Sequence, residues 1–121
     1  MALKVLVVDD SPVTRAMLSD FLSMIGHQVV GEGVDLAQTL TILKAQTPDL
    51  ITLDLSMEKE DGLTVLKAIR QADAKVKVLI VSGNTQQEIY DQLLAAGACG
   101  VLMKPFTLSE LTTALDKAAA A

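Results

Sequence analysis

The segment Asp49-Leu-Ile-Thr-Leu-Asp54 is an apolar run that ends in a carboxylate. The uncharged residues from Leu50 to Leu53 are typical of a strand that is buried on both faces, as in the centre of a parallel sheet. Asp54 is then expected at the carboxyl end of the strand, the edge of an open α/β sheet where ligands bind. Taken alone, its carboxylate is more simply explained as a cap of the following turn, because aspartate is common where a strand meets a loop. The rest of the chain favours a functional role.

Apolar segments and helical patterns alternate along the whole chain. Each predicted strand is followed by apolar side chains at helical spacing. The predicted strands lie at 4–8, 28–32, 50–54, 76–81 and 101–103. Such a succession of βα units predicts an α/β fold, in which a parallel five-stranded sheet carries helices on both faces.

Capping residues indicate where the helices begin. Ser11, Asp35 and Asp61 stand directly before the first three helical patterns, where their side chains can accept hydrogen bonds from free backbone N–H groups. The last two patterns begin with Thr-x-x-Glu at 85–88 and 107–110. This spacing is typical of a capping box, in which the two side chains bond each other's backbone N–H groups.

Composition limits the classes of protein that the chain fits. Its 121 residues are 50% hydrophobic and 2% aromatic, which predicts one domain over 1–121 with no output domain. Without a membrane-length apolar run or a signal-peptide pattern, we expect a cytoplasmic protein with no membrane insertion. A net charge of −5 argues against direct nucleic-acid binding. The single cysteine, Cys99, excludes an internal disulfide and is expected to be a small packed residue.

Polar side chains stand at the carboxyl ends of four predicted strands. Asp9 and Asp10 follow the first strand, Asp54 ends the third, Ser82 follows the fourth and Lys104 follows the fifth. Because parallel strands end at the same edge of a sheet, we expect these groups to converge. Crowded carboxylates repel one another unless a cation or proton compensates, and such oxygen ligands suit Mg²⁺. An anionic nucleophile, a metal ion, an ammonium and a hydroxyl donor together predict a site for a phosphoryl group.

Short motifs surround these residues in a fixed order. They are Val7-Val-Asp-Asp-Ser11, Leu53-Asp54, Asp61-Gly62, Ser82-Gly83, Ala96-Gly-Ala98 and Lys104-Pro-Phe106. In this order and spacing the chain resembles the receiver domain of bacterial two-component response regulators, of the single-domain chemotaxis kind. The resemblance runs from Lys4 to the last helix, and it implies a flavodoxin-like receiver fold with the strand order 2-1-3-4-5.

The resemblance implies how the site handles a phosphoryl group. Asp54 is the expected phosphoacceptor, taking the group from the phosphohistidine of a sensor histidine kinase or a histidine phosphotransfer protein. Ser82 is expected to donate a hydrogen bond to the phosphoryl oxygens. Lys104, implied to precede a cis peptide bond with Pro105, is expected to pair with them.

A magnesium site is implied by the same resemblance. Asp10 is expected to bind Mg²⁺ directly and Asp9 through water. Asp54 and the backbone carbonyl of Ser56 are the further expected ligands. The ion would relieve repulsion between the carboxylate and the incoming phosphate.

Phosphorylation is then expected to switch the face made by the fourth helix, the fifth strand and the fifth helix. This face would control binding to a downstream protein target, with chemotaxis as one setting and a phosphatase as a further partner. No enzyme activity is expected beyond self-catalysed phosphorylation and dephosphorylation.

Three positions depart from the pattern of the family. Val101 stands where an aromatic residue is usual on the fifth strand, which predicts a different readout from the usual hydroxyl-to-aromatic movement. Glu58 replaces a common proline and predicts a more mobile acidic loop. Ser56 and Asn84 hold variable positions beside the phosphoryl site, where the lifetime of the phosphorylated form is expected to be set.

Alternative functions fit the sequence less well. A phosphatase of the haloacid dehalogenase type would carry a second aspartate two residues after the nucleophile, where this chain has Ser56. A flavin-binding domain would need a phosphate-binding loop after the first strand, where Asp9 and Asp10 would repel phosphate. A phosphate-independent receiver scaffold is disfavoured because every residue of the acceptor site is present.

Other notable residues have simpler explanations. His27, the only histidine, follows a helix-ending glycine and is expected on a surface loop. Tyr90 is expected on the fourth helix, where packing and a partner contact are equally plausible. The methionines at 17, 24 and 103 are expected in the core.

Overall fold

Strands and helices alternate in the computed structural model, which describes residues 2–55, 57, 61–83 and 86–120. The elements are β1 (Lys4–Val8), α1 (Pro12–Met24), β2 (Gln28–Gly33), α2 (Leu36–Gln46), β3 (Leu50–Asp54), α3 (Gly62–Ala72), β4 (Lys77–Ser82), α4 (Gln87–Ala95), β5 (Gly100–Met103) and α5 (Leu108–Ala120). The predictions that concern Ser56, Glu58, Asn84 and Thr85 lie outside the described residues.

The strands form one parallel sheet in the order β2-β1-β3-β4-β5. This confirms the predicted fold class and the strand order that the resemblance implies. β3 lies in the middle, and all its residues from Leu50 to Asp54 are buried. A strand buried on both faces needs side chains without charge along most of its length, which explains why the charged residue comes only at its end.

Apolar side chains divide into two clusters, one on each face of the sheet. The first cluster joins the strands to α2, α3 and α4, and the second joins them to α1 and α5. Neighbouring strand residues alternate between the clusters: Leu6 lies in the first and Val7 in the second. Because helices cover both faces, the strand ends are where polar side chains of this sheet can meet a ligand.

Most predicted caps are confirmed. Ser11, Asp35 and Asp61 each accept a hydrogen bond from a backbone N–H in the first turn of the following helix, at 3.3, 2.8 and 3.3 Å. At the start of α5 the Thr107 N–H donates to Glu110 Oε1 at 3.0 Å, and the Glu110 N–H donates to Thr107 Oγ1 at 3.1 Å. These reciprocal bonds form the predicted capping box.

The start of α4 differs from the prediction. The box at 85–88 predicts Thr85 as the N-cap, a residue that lies outside the described part of the chain. The N-cap position is held by Gln86, whose backbone is extended (φ −76°, ψ 119°), and the helix begins at Gln87. The helix therefore begins one residue later than an N-cap at Thr85 would place it.

The methionines predicted to lie in the core are exposed. Met24 exposes 69% of its surface, and Met17 and Met103 are also solvent-exposed. In α1 the buried positions are Leu18 and Leu22, so the two methionines lie outside the buried stripe. Met103 ends β5, which is an edge strand. Apolar spacing indicates that a helix has a buried side, but the width of that side depends on what packs against it.

Two further residues have contacts that the sequence does not reveal. His27 is half-buried rather than simply exposed on a loop, and its Nδ1 accepts a hydrogen bond from the Leu3 N–H at 3.0 Å. The Cys99 thiol, expected to be a small packed residue, donates to the Val78 carbonyl at 3.2 Å and packs against the second cluster. Burial raises the pKa of this thiol.

A buried hydroxyl in β3 provides a test of the packing. Thr52 is buried, and its Oγ1 has no hydrogen-bond partner among the described residues. Thr52→Val removes this unsatisfied group and is expected to raise the free energy of unfolding by about 1 kcal/mol, measured by urea denaturation. Thr39→Val is the matched control: the Thr39 hydroxyl donates to the Asp35 carbonyl at 2.7 Å, so the same change is expected to lower stability by about 1 kcal/mol. Destabilisation by Thr52→Val would contradict this account.

Candidate functional site

The carboxyl ends of the strands bring the predicted acidic residues together. One carboxylate oxygen from each of Asp9, Asp10 and Asp54 lies within 4.8 Å of the others. The pairing of Val8 with Leu53 in neighbouring strands β1 and β3 puts their ends side by side. Asp9 and Asp54 are buried, whereas Asp10 is half-buried as a residue with its carboxylate exposed. The cluster therefore has two carboxylates at its base and one that is open to water.

Lys104 brings an ammonium group to this cluster. Its Nζ lies 3.2 Å from Asp54 Oδ1 and 3.5 Å from Asp9 Oδ2. The Lys104-Pro105 peptide bond is cis, as the resemblance implies. The Lys104 N–H donates to the Ser82 carbonyl at 2.8 Å, which joins the ends of β4 and β5. The sequence prediction that the lysine and the aspartates converge is consistent with this geometry.

Ser82 and Val101 lie on the side of the site nearer β5. Ser82 is buried at the end of β4, next to Val81, whose partner in β3 is Asp54. Val101 is half-buried and packs against the first cluster, together with Ile89 and Tyr90. Tyr90 thus has a packing role, one of the two explanations that the sequence leaves open.

Backbone bonds fix Asp9 at its place. The Asp9 N–H donates to the Gly33 carbonyl at 3.0 Å, and Asp9 Oδ1 accepts from the Ser11 N–H at 2.8 Å. The Asp9 carbonyl accepts from Arg15 Nη1 at 2.7 Å. The sequence does not identify Arg15 as a residue of this site, because no motif includes it. Its position near the start of the helix that follows Asp9 and Asp10 is the one feature that could have indicated it.

The pKa of the Asp9 carboxyl shows the electrostatic effect of the cluster. Burial raises the pKa of the Asp9 carboxyl above its ordinary value, and the charge of Asp54 raises it further. The N–H of Ser11 and the charge of Lys104 act in the opposite direction but do not cancel the rise. The site therefore holds carboxylates under electrostatic strain, which a further cation would relieve.

A model of the response regulator receiver domain matches residues 5–116 of this chain. The chain therefore belongs to the response regulator receiver family. It is 37% identical to the chemotaxis protein CheY of Bacillus subtilis over 117 residues, covering 97% of this chain and 98% of CheY. Its function is accordingly that of a phosphoacceptor domain in two-component signalling, and no comparison favours a hydrolase.

Solved structures agree with this assignment. The receiver domain of the response regulator NarL from Mycobacterium tuberculosis superposes with a TM-score of 0.88 at 35% identity, covering 99% of this chain and 98% of that one. CheY of Borrelia burgdorferi, solved in a complex with CheX, BeF₃ and Mg²⁺, superposes with a TM-score of 0.88 at 26% identity, covering 93% of this chain and 85% of that one.

Membership of the family has general consequences. Receiver domains bind Mg²⁺ at an acidic pocket, interact with histidine kinases and downstream targets, and are not classical enzymes. The donor set here fits such an ion, because hard carboxylate oxygens lie close together and exposed Asp10 leaves room for water ligands. Among the described residues, the helices are too short or too polar to cross a membrane.

The strain on Asp9 predicts a gain in stability when its charge is removed. The folded state holds the Asp9 proton more tightly than the unfolded chain, so this contribution to stability is lost as the pH rises from 3.8 through the raised pKa. Without metal at pH 7, Asp9→Asn is expected to raise the melting temperature by about 4 °C, on the order of 1 kcal/mol.

Asp10→Asn at the exposed position is the control and is expected to have a smaller effect. A melting temperature of Asp9→Asn at or below that of the wild type in metal-free buffer would show that the carboxylates are not under strain.

Proposed function

We propose that Asp54 is the phosphoacceptor of this receiver domain. The observation that carries the proposal is a carboxylate only 4% exposed, paired with Lys104 at 3.2 Å and crowded by two other aspartates. In the reaction a carboxylate oxygen attacks the phosphorus of a phosphohistidine. The new P–O bond forms as the P–N bond breaks, and the departing histidine nitrogen takes up a proton.

The other residues of the site act by position and charge. Lys104 pairs with Asp54 before the transfer. After the transfer it pairs with the phosphoryl oxygens and balances their negative charge. Ser82, at the end of the neighbouring strand, donates its hydroxyl to a phosphoryl oxygen. No separate substrate is turned over: the chain catalyses its own phosphorylation and, with water as the attacking group, its own dephosphorylation.

The acidic cluster is the proposed Mg²⁺ site. Asp9, Asp10 and Asp54 would hold the ion, with the backbone carbonyl of Ser56, a residue outside the described part of the chain, as a further ligand. When bound, the ion would supply positive charge that reduces the repulsion between the Asp54 carboxylate and the incoming phosphoryl group.

The proposed partners follow from this chemistry. A histidine kinase or a histidine phosphotransfer protein supplies the phosphoryl group, a downstream protein binds the face of α4, β5 and α5, and a phosphatase resets the site. Similarity to CheY of Bacillus subtilis over nearly the whole chain supports a chemotaxis setting. A single receiver domain over 1–121 and a cytoplasmic location remain predictions from the sequence.

Intact mass spectrometry tests the phosphoacceptor. After incubation with acetyl phosphate, the wild-type protein is expected to gain the mass of one phosphoryl group with Mg²⁺ and none without it. Asp54→Ala is expected to abolish the gain. Asp20→Ala, which removes an exposed aspartate from α1, is the matched control and is expected to keep it. A gain that persists in Asp54→Ala would place the acceptor elsewhere.

Beryllofluoride, which mimics a phosphoryl group on a carboxylate, tests the proposed switch. With Mg²⁺ it is expected to shift the amide NMR signals of Val101, Met103 and the exposed Leu94 more than those of α2, which lies near the opposite edge of the sheet. Ser82→Ala is expected to reduce the shifts at α4 and β5 while beryllofluoride still binds. Equal shifts in the wild type and in Ser82→Ala would remove Ser82 from the switch.

A further inference from the structure

Arg15 links the acidic site to the edge of the sheet. Its Nη1 donates to the Asp9 carbonyl at 2.7 Å, and its Nε lies 3.1 Å from Glu32 Oε1 in β2. Only 16% of the Arg15 side chain is exposed against 46% of the Glu32 side chain, so the bond to the Asp9 carbonyl is the better shielded of the two. One side chain from α1 thus bridges Asp9, the residue that follows β1, and the neighbouring strand β2.

The site needs such a link because its charges oppose its own geometry. Carboxylates within 4.8 Å of one another repel, and the connection between β1 and α1 could relax by moving Asp9 and Asp10 outward. The Asp9 side chain accepts a bond from the Ser11 N–H. The main chain of Asp9 has two described bonds: its N–H donates to the Gly33 carbonyl, and its carbonyl accepts from Arg15 Nη1. Loss of Arg15 would leave the carbonyl side of this residue unheld.

β2 is a firm anchor for this bridge. It pairs with β1 along its length, with Glu32 opposite Val7. At Gly31, a Cβ atom would lie 2.7 Å from Ile42 Cγ2, so β2 lies close against α2 and is held there. The backbone of β2 therefore holds Glu32 in place as a partner for Arg15, although 46% of the Glu32 side chain is exposed.

We propose that Arg15 is a positioning residue of the acidic site: by binding the Asp9 carbonyl from an anchor on Glu32, it holds Asp9 and Asp10 where they can bind a divalent cation. This inference rests on the proposed function for the identity of that cation as Mg²⁺. Arg15 acts through the backbone, since its bond in the site goes to a neutral carbonyl and its charge is paired with Glu32.

Positioning and charge predict opposite results for Mg²⁺ binding. If Arg15 acted by its charge, replacing it with a neutral residue would make the site more negative and would tighten cation binding. If it acts by position, the same replacement loosens the ligands and weakens binding. Residues that orient metal ligands without touching the metal typically change metal affinity by about 10- to 100-fold.

The experiment measures the Mg²⁺ dissociation constant by isothermal titration calorimetry for the wild type, Arg15→Met, Glu32→Gln and the double variant. We expect Arg15→Met to raise the constant about tenfold and Glu32→Gln to raise it less. The double variant should be no worse than Arg15→Met alone, because Glu32 acts through Arg15. Lys44→Met removes an equal charge from the exposed end of α2 and should leave the constant unchanged.

A second measurement needs no metal. Amide hydrogen exchange at Asp9 and Ser11 should become faster in Arg15→Met than in the wild type, while exchange in β3 and thermal unfolding change little. This separates loosening of the turn from general destabilisation. Arg15→Lys, which can still donate to the carbonyl, should recover part of the Mg²⁺ affinity that Arg15→Met loses.

An unchanged or tighter Mg²⁺ constant in Arg15→Met would overturn the positioning role, as would additive losses in the double variant. A wild type that binds Mg²⁺ but is not phosphorylated at Asp54 would count against the proposed function alone. In that case the loss of Mg²⁺ affinity in Arg15→Met would still support the positioning role.

Discussion

Repulsion among three carboxylates at one edge of the sheet is the constraint on which the rest of this structure depends. Asp9, Asp10 and Asp54 are brought together because β1 and β3 are neighbours that end at the same level. The free energy that holds them comes from the two apolar clusters, in which each fully buried leucine or isoleucine stabilises the fold by roughly 2 kcal/mol. A sheet covered on both faces can therefore keep a strained polar edge that an isolated pair of strands could not.

Lys104 relieves this repulsion only in part. It pairs with Asp54 and Asp9, yet one ammonium among three carboxylates leaves two negative charges when all are ionised. A divalent cation carries the two positive charges that would balance them. Burial first, and then the charge of Asp54, keep the pKa of Asp9 raised although a lysine lies beside it. The site is thus unfavourable on its own and becomes favourable when a cation arrives.

The sequence predicts this site well because parallel topology does most of the positioning. Once Asp9, Asp54 and Lys104 are each assigned to a strand end, their convergence follows without knowledge of any helix packing. Arg15 could not be found in this way, since its bond to a backbone carbonyl depends on how α1 lies over β1. Met17 and Met24 were wrongly predicted for the same reason, because helical spacing identifies one buried side but not its neighbours. The contact of His27 with the Leu3 N–H likewise depends on packing between distant segments.

The link from the site to the outer surface runs through the main chain of Lys104. Its ammonium binds Asp54 while its N–H donates to the Ser82 carbonyl, so one residue connects the charge of Asp54 to the ends of β4 and β5. β5 is an edge strand that is paired on one side only, by β4, so it is displaced more easily than the central strands. The Val101 side chain is stiff and has no polar atom. It can therefore move together with β5, but it cannot form or break a hydrogen bond. Beside it, exposed Met103 gives this edge a flexible apolar side chain, and a partner that reads the shift would contact these two residues together.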